Sequence, residues 1–265
     1  MAIAPARAIE WRGAPLAGGR LPAICAPLVA RTHGELVAEA AAVAAKQPDL
    51  LEWRVDFFGA IGESAQVIET AAAIRQAAGG IPLLFTRRSS REGGEPIALA
   101  EPQVVALYRA VCASGQIDFI DYEVGNDAAH VREVREASRA AGVQLVLSFH
   151  DFAATPSQSA LQQCFARAEQ LGADIAKVAV MPRDMQDVLT LLAATLDASR
   201  TLRIPVISMA MGGAGAVTRL AGGLFGSDLC FAVGQRASAP GQWPIEELEA
   251  ALSLLAKASG GAGRQ

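Results

Sequence analysis

The sequence predicts a closed (β/α)8 barrel of the TIM type, on three observations. Eight short apolar runs recur at intervals of about 24 to 35 residues, the spacing of repeated βα units. Several of them, LVLSF, IAKVAV and IPVISMAM among them, are apolar on both faces, as a parallel sheet covered by helices requires. The length, 265 residues, suits one such barrel, and no Pro/Ser-rich linker or shift of charge divides the chain. An open doubly wound sheet is the runner-up. It needs a glycine-rich turn after its first strand, and APLVARTHGE is not one.

Residues 9–20 come first and contain Gly13, Gly18 and Gly19; they are expected to form a β-hairpin closing the bottom of the barrel. Strands are expected over Ala23–Val29, Leu50–Asp56, Pro82–Thr86, Ile117–Val124, Val143–Phe149, Asp174–Val180, Ile204–Met209 and Asp228–Val233. Helices Gly34–Gln47 and Ser64–Ala78 are rich in Ala, a strong helix former. Ala128–Ala141 carries Glu and Arg on an exposed face and stops at Gly142. Ser157–Leu171 follows Thr155-Pro156, read as a cap with Pro in the first turn. Met185–Ser199 and Ile245–Lys257, the latter opening with Pro244, complete the set. Residues 1–258 read as a single domain and 259–265, SGGAGRQ, as a disordered tail.

With 52% hydrophobic and 19% charged residues, the chain is not of the disordered class. A net charge of −4 and scattered Arg argue against a nucleic-acid groove or an anionic-membrane surface. MAIAPARAIEWRG lacks the apolar core of a signal peptide, and the longest uncharged stretch, Ile204 to Thr218, is too short to span a bilayer. The four cysteines (Cys25, Cys112, Cys164, Cys230) are far apart and read as free thiols of a reducing, cytoplasmic compartment. No Cys/His spacing suits a metal.

Functional groups of such a barrel gather where strands end. In DLLEWRVDFF, Glu52, Arg54 and Asp56 alternate and are expected on one inner face, costly unless paired with each other or a ligand. TRRSSREGGE carries Arg87, Arg88, Arg91, Glu92 and Glu95 around Gly93-Gly94. His150 ends the run VLSFHDF; His33, in a loop, and His130, in a helix, read as structural. Of 23 basic residues only Lys46, Lys177 and Lys257 are lysines. Lys177 stands inside ADIAKVAV, where burial among apolar neighbours lowers a lysine's proton affinity and makes the amine a nucleophile toward ketones. Lys46 and Lys257 sit at helix C-termini, ordinary places for solvated cations. SMAMGGAGAVTRLAGG matches no phosphate-binding motif; Arg219 follows this flexible stretch and suits a carboxylate, and Met209 and Met211 read as core or pocket wall. In GQRASAPGQWPIEEL, Ser238 and Gln242 lie in a loop suited to act as a lid.

A lysine in a barrel, a histidine one strand away and arginines at the rim point to imine chemistry on a keto acid. The iminium acidifies the adjacent C–H, a base removes that proton, and a hydroxyl β to the ketone departs. A retro-aldol cleavage opens the same way. ICAPLV, Glu52-Trp53-Arg54-Val55-Asp56, FTRRSSREGG, IDFIDYE, SFHDF, IAKVAV, SMAMG and the GQ…S…PGQ segment together resemble the type I 3-dehydroquinate dehydratases, from about Ala23 to Leu254. The resemblance implies a (β/α)8 barrel with an N-terminal hairpin, a homodimer without metal or organic cofactor, and syn dehydration of 3-dehydroquinate to 3-dehydroshikimate. It implies Lys177 as the imine-forming lysine, His150 as general acid/base, and Glu92 orienting that histidine with Asp121 in the same network. Arg219 would bind the carboxylate; Glu52, Arg54, Arg88, Ser238 and Gln242 would hold hydroxyls and close the site; Met211 would line the pocket. Arg87 stands where an aromatic is commoner. A class I aldolase, or an inactive barrel binding a keto acid, are the alternatives.

Overall fold

In the computed structural model, which describes residues 8–19 and 22–258, eight parallel strands stand in the order β10-β3-β4-β5-β6-β7-β8-β9. They are β3 (Ala23–Leu28), β4 (Leu50–Arg54), β5 (Leu83–Thr86), β6 (Phe119–Glu123), β7 (Gln144–Asp151), β8 (Ile175–Val180), β9 (Val206–Ala210) and β10 (Leu229–Phe231). A parallel bridge between Val206 and Ser227 brings β9 to β10 and closes the ring. The outer layer is α1 (His33–Ala44), α2 (Ser64–Ala77), α3 (Glu101–Ala113), α4 (Ala128–Ala141), α5 (Gln158–Gln170), α6 (Met185–Thr201), α7 (Gly212–Ala221) and α8 (Ile245–Ala258). This is the expected barrel. None of the described helices is long and apolar enough to cross a membrane.

Two helices exceed the expectation. α3 starts with Pro102 in its first turn, where a missing N–H costs nothing. α7 occupies the glycine-rich run read as flexible; Gly215 packs so closely on Ala210 that a Cβ there would lie 2.3 Å from its carbonyl carbon. Tertiary contact, not propensity, makes that helix. The cap of α5 is Ser157, not Thr155: its hydroxyl accepts from Ala160 N–H at 3.3 Å. His33 opens α1 rather than lying in a loop, its Nδ1 3.0 Å from Thr70 Oγ1.

The hairpin forms from β1 (Glu10–Trp11) and β2 (Ala14–Pro15). It buries Ile9 and Leu16 against Leu50, Leu84, Phe119, Val146, Ile175, Ile207 and Leu229, the lower layer of the barrel interior. Trp11 Nε1 donates to Asp118 at 2.9 Å and fixes the plug. Arg20 and the tail 259–265 lie outside the described residues.

A second device closes the floor. Asp49, Asp118, Asp174 and Asp228 stand just before β4, β6, β8 and β10, each followed by a lower-layer apolar residue. Their carboxylates accept from the backbone N–H of Ile24, Leu83, Leu145 and Val206 at 2.8–3.0 Å. Their own N–H groups donate to the carbonyls of those same residues. Each aspartate thus clamps the start of the preceding strand.

Candidate active site

Inward-facing positions recur every second residue along a strand, so the polar layer lies two residues beyond the apolar one. Glu52 follows Leu50, Thr86 follows Leu84, Asp121 follows Phe119, Ser148 follows Val146 and Lys177 follows Ile175. One step higher stand Arg54, Arg88, Glu123 and His150. Here the barrel opens into a cleft. Nine of the eleven residues singled out from the sequence line it: Glu52, Arg54, Arg88, Glu92, His150, Lys177, Met211, Ser238 and Gln242. Asp121 and Arg219 stand behind its wall.

Lys177 is buried, but its surroundings are not the oily ones expected. Its strand neighbours are apolar, whereas the residues facing it across the barrel are acidic. Nζ donates to Asp121 Oδ2 at 2.8 Å, lies 3.8 Å from Glu52 Oε1, and sits 4.4 Å from the Phe231 ring centre. Glu52 is held in turn by the Thr86 hydroxyl at 2.9 Å. Asp121 also accepts from Arg88 Nη2 at 2.7 Å and Ser148 Oγ at 2.6 Å. Burial pushes its carboxyl up, but Arg88, Lys177 and Ser148 outweigh burial and hold it at about 2. Burial also works against the Arg88 charge, yet Asp121, Glu123 and Glu92 leave the guanidinium more firmly protonated than usual.

The loop after β5 delivers Glu92 to His150. Glu123 anchors it by accepting from both the N–H and the hydroxyl of Ser89 at 2.7 Å. Gly93 turns it with φ of 81°, a backbone conformation in which any larger residue is strained. Glu92 Oε2 lies 2.8 Å from His150 Nδ1 and accepts from the His150 backbone N–H at 3.0 Å. Burial pushes Glu92 up to about 8, outweighing Arg88 and that backbone bond, which pull it down. Burial, with Arg88, Lys177 and Arg54 nearby, holds the imidazole well below its usual range. Both charges are disfavoured, so the pair works as a unit.

One further expectation is corrected. Asp56 does not share the face of Glu52 and Arg54: it lies in a short turn after β4 and grips Arg54 bidentately, Nε at 2.9 Å and Nη2 at 2.7 Å. Arg219 stands just behind the cleft wall. Its guanidinium donates to the carbonyls of Phe231 at 3.1 Å and Pro240 at 3.2 Å, and burial lowers its proton affinity. Ser238 and Gln242 bond each other, Gln242 Oε1 accepting from Ser238 N–H at 2.9 Å. Sequence reasoning passed over Ser148, Glu123, Phe152 and Phe231; the first is two residues before His150 and was findable from alternation. Lys46 pairs with Glu246 at 3.2 Å and Lys257 is exposed, so neither is near the cleft.

The sequence model described as type I 3-dehydroquinase matches residues 24–259. A 3-dehydroquinate dehydratase of Albidiferax ferrireducens is 61% identical over 95% of this chain and 96% of its own. The crystal structure of 3-dehydroquinate dehydratase from Geobacillus kaustophilus superposes with a TM-score of 0.92 at 50% identity, covering 98% of this chain and 100% of that one. The type I enzyme of Clostridium difficile, crystallised with covalently modified comenic acid, gives 0.90 at 35% identity over 95% of this chain and 99% of that one.

Proposed function

We propose that this chain, which belongs to the type I 3-dehydroquinase family and is a hydro-lyase dehydrating 3-dehydroquinate in the shikimate pathway, works through an imine on Lys177. The observation that carries the reading is a buried lysine amine aimed by Asp121 into a cleft it shares with the His150–Glu92 pair. The covalently modified comenic acid in the C. difficile relative supports it.

The amine must lose its proton before attack. A carboxylate held at about 2 is too weak a base to take it, so Asp121 aims Nζ, and the His150–Glu92 pair is the acceptor. Nζ then bonds to the keto carbon and the carbonyl oxygen leaves as water. Protonated, the pair presents Nε2–H, an acid. Once that proton is given, Nδ1 takes the Glu92 proton and Nε2 offers a lone pair, a base. In the base form it removes the C–H beside the iminium, and the electrons move to nitrogen. The resulting enamine expels the β-hydroxyl, which leaves as water with the proton just taken. One group acting twice from one side gives syn elimination. Hydrolysis frees the enone and the amine.

In this reading Arg219 exchanges its bond to the Pro240 carbonyl for the substrate carboxylate, and Ser238 and Gln242 exchange each other for substrate hydroxyls. Residues 1–258 act as one domain, in a cytoplasmic homodimer. Family membership supports this, as do the four cysteines, all free thiols.

Borohydride reduction with 3-dehydroquinate, followed by peptide mass spectrometry, tests the covalent step. The expected adduct is on Lys177; an adduct on Lys46 or Lys257 instead, or none at all, refutes the reading.

A further inference from the structure

Arg88, two residues beyond β5, pairs with Asp121 in the middle of β6, and a side chain from outside the barrel joins the two segments. Thr86 is in register with Asp121, so a regular parallel ladder continued one step would run from Arg87 N–H to the Asp121 carbonyl. The Tyr108 hydroxyl occupies that place instead. It accepts from Arg87 N–H at 2.9 Å and donates to the Asp121 carbonyl at 2.6 Å.

Tyr108 comes from α3 and is fully buried. Its ring stands edge-on to Phe85 and to Tyr122, with centroids 5.4 and 5.3 Å away, so the hydroxyl cannot swing aside. Burial pushes that hydroxyl above its usual range despite Arg87, and it stays a donor. The Arg87 side chain points away from the cleft onto Glu101 of the same helix, which also accepts from Tyr122. α3 therefore grips the end of β5 by main chain and side chain. The two segments are therefore joined through the interposed oxygen. Arg88, the next residue, reaches inward to Asp121 at 2.7 Å and Ser148 at 2.8 Å.

We infer that Tyr108 is a positioning residue for the dehydration: its hydroxyl ties the chain just after β5 to the Asp121 carbonyl, so that Arg88 meets Asp121 and Asp121 aims Lys177. The inference rests on the roles proposed above for Lys177, Asp121 and His150. Without the hydroxyl, that junction is lost and Arg88 is no longer held against Asp121.

Tyr108→Phe removes one oxygen and keeps the ring. The variant is expected to melt within a few degrees of the parent and to keep KM within about threefold, with kcat down about tenfold. The acid limb of kcat moves to higher pH. The groups facing the His150–Glu92 pair are Arg88 from the end of β5, Lys177 from β8, Arg54 from β4 and the Glu123 and Asp121 carboxylates of β6, and Arg88 is among those holding the pair's proton affinity down. Unchanged kcat and pH profile overturn the proposal, as does a lowered melting temperature with unchanged kcat in the folded fraction. If the variant does not fold, the chain's two tyrosines allow 3-fluorotyrosine labelling. The Tyr108 resonance, identified with Tyr122→Phe, shifts on borohydride trapping if the hydroxyl is coupled to the pair, and stands still if it is not. Trapping of the parent at Lys177 is run alongside. Its failure removes the mechanism, whereas normal trapping with an unaltered Tyr108→Phe profile removes Tyr108 alone.

Discussion

The lower and upper layers of the barrel interior share strands and inward register, yet one is oil and the other charge. Leu50, Phe119 and Ile175 interlock with the hairpin's Ile9 and Leu16. Two residues along the same strands, Glu52 and Asp121 converge within 3.8 Å of the Lys177 amine. A step of under 7 Å, roughly two strand residues, separates what holds the molecule together from what it does. Charge is tolerable in the upper layer because Glu52, Asp121 and Lys177 each have a hydrogen-bonding partner anchored on another strand. The lower layer lets the strands stand still enough for those partners to meet.

That division can be broken or sharpened by substitution. The largest expected effect is His150→Ala, which should cost about 10²- to 10⁴-fold in kcat and erase the limb near pH 8 that the His150–Glu92 pair sets. Borohydride should still trap an adduct, but more slowly, since the pair also takes the amine's proton, and parental kinetics would move the chemistry elsewhere. Next is Ile175→Ala, two residues before Lys177. Denaturant unfolding should show a loss of about 2–5 kcal/mol, with kcat of the folded fraction within about twofold. A large kcat loss there would show the layers are not separable. The smallest is acid sensitivity. Asp121 has its carboxyl at about 2 in the fold against 3.8 unperturbed, so its contribution is complete above pH 3.8 and is lost as pH falls through 2. The stability gap between the parent and Asp121→Asn should shrink by about 2 kcal/mol over that window. A constant gap would place the upper layer's stabilisation in packing.

Lys177 and His150 were legible because each is a charged or titratable residue standing in an apolar run, a costly place without a purpose. The barrel was legible for a related reason, since strands covered on both faces leave uninterrupted apolar runs. What the chain could not show is who faces whom across the ring. Nothing local to IAKVAV reveals that Asp121, 56 residues earlier, meets its amine. Nor does MGGAGAVTRLAGG show that Gly215 closes onto Ala210, making a helix of a run that composition marks as loose and turning Arg219 onto the Phe231 and Pro240 carbonyls. Tyr108 escaped notice along with the helix that carries it.

The aspartate clamps at the floor have a consequence for how the ring comes apart. Each ties a strand to its predecessor by two reciprocal bonds, joining β3 to β4, β5 to β6, β7 to β8 and β9 to β10. At its floor the circle is therefore four doubly tied quarters rather than eight equal staves, with the seams between quarters held by the strand ladders alone. Thermal breathing should open those seams first and release βαβ quarters as cooperative units. Lys177 and Ser148 lie within one quarter, Asp121 and Arg88 within another. The ion pair that aims the amine is thus a bolt thrown across a seam.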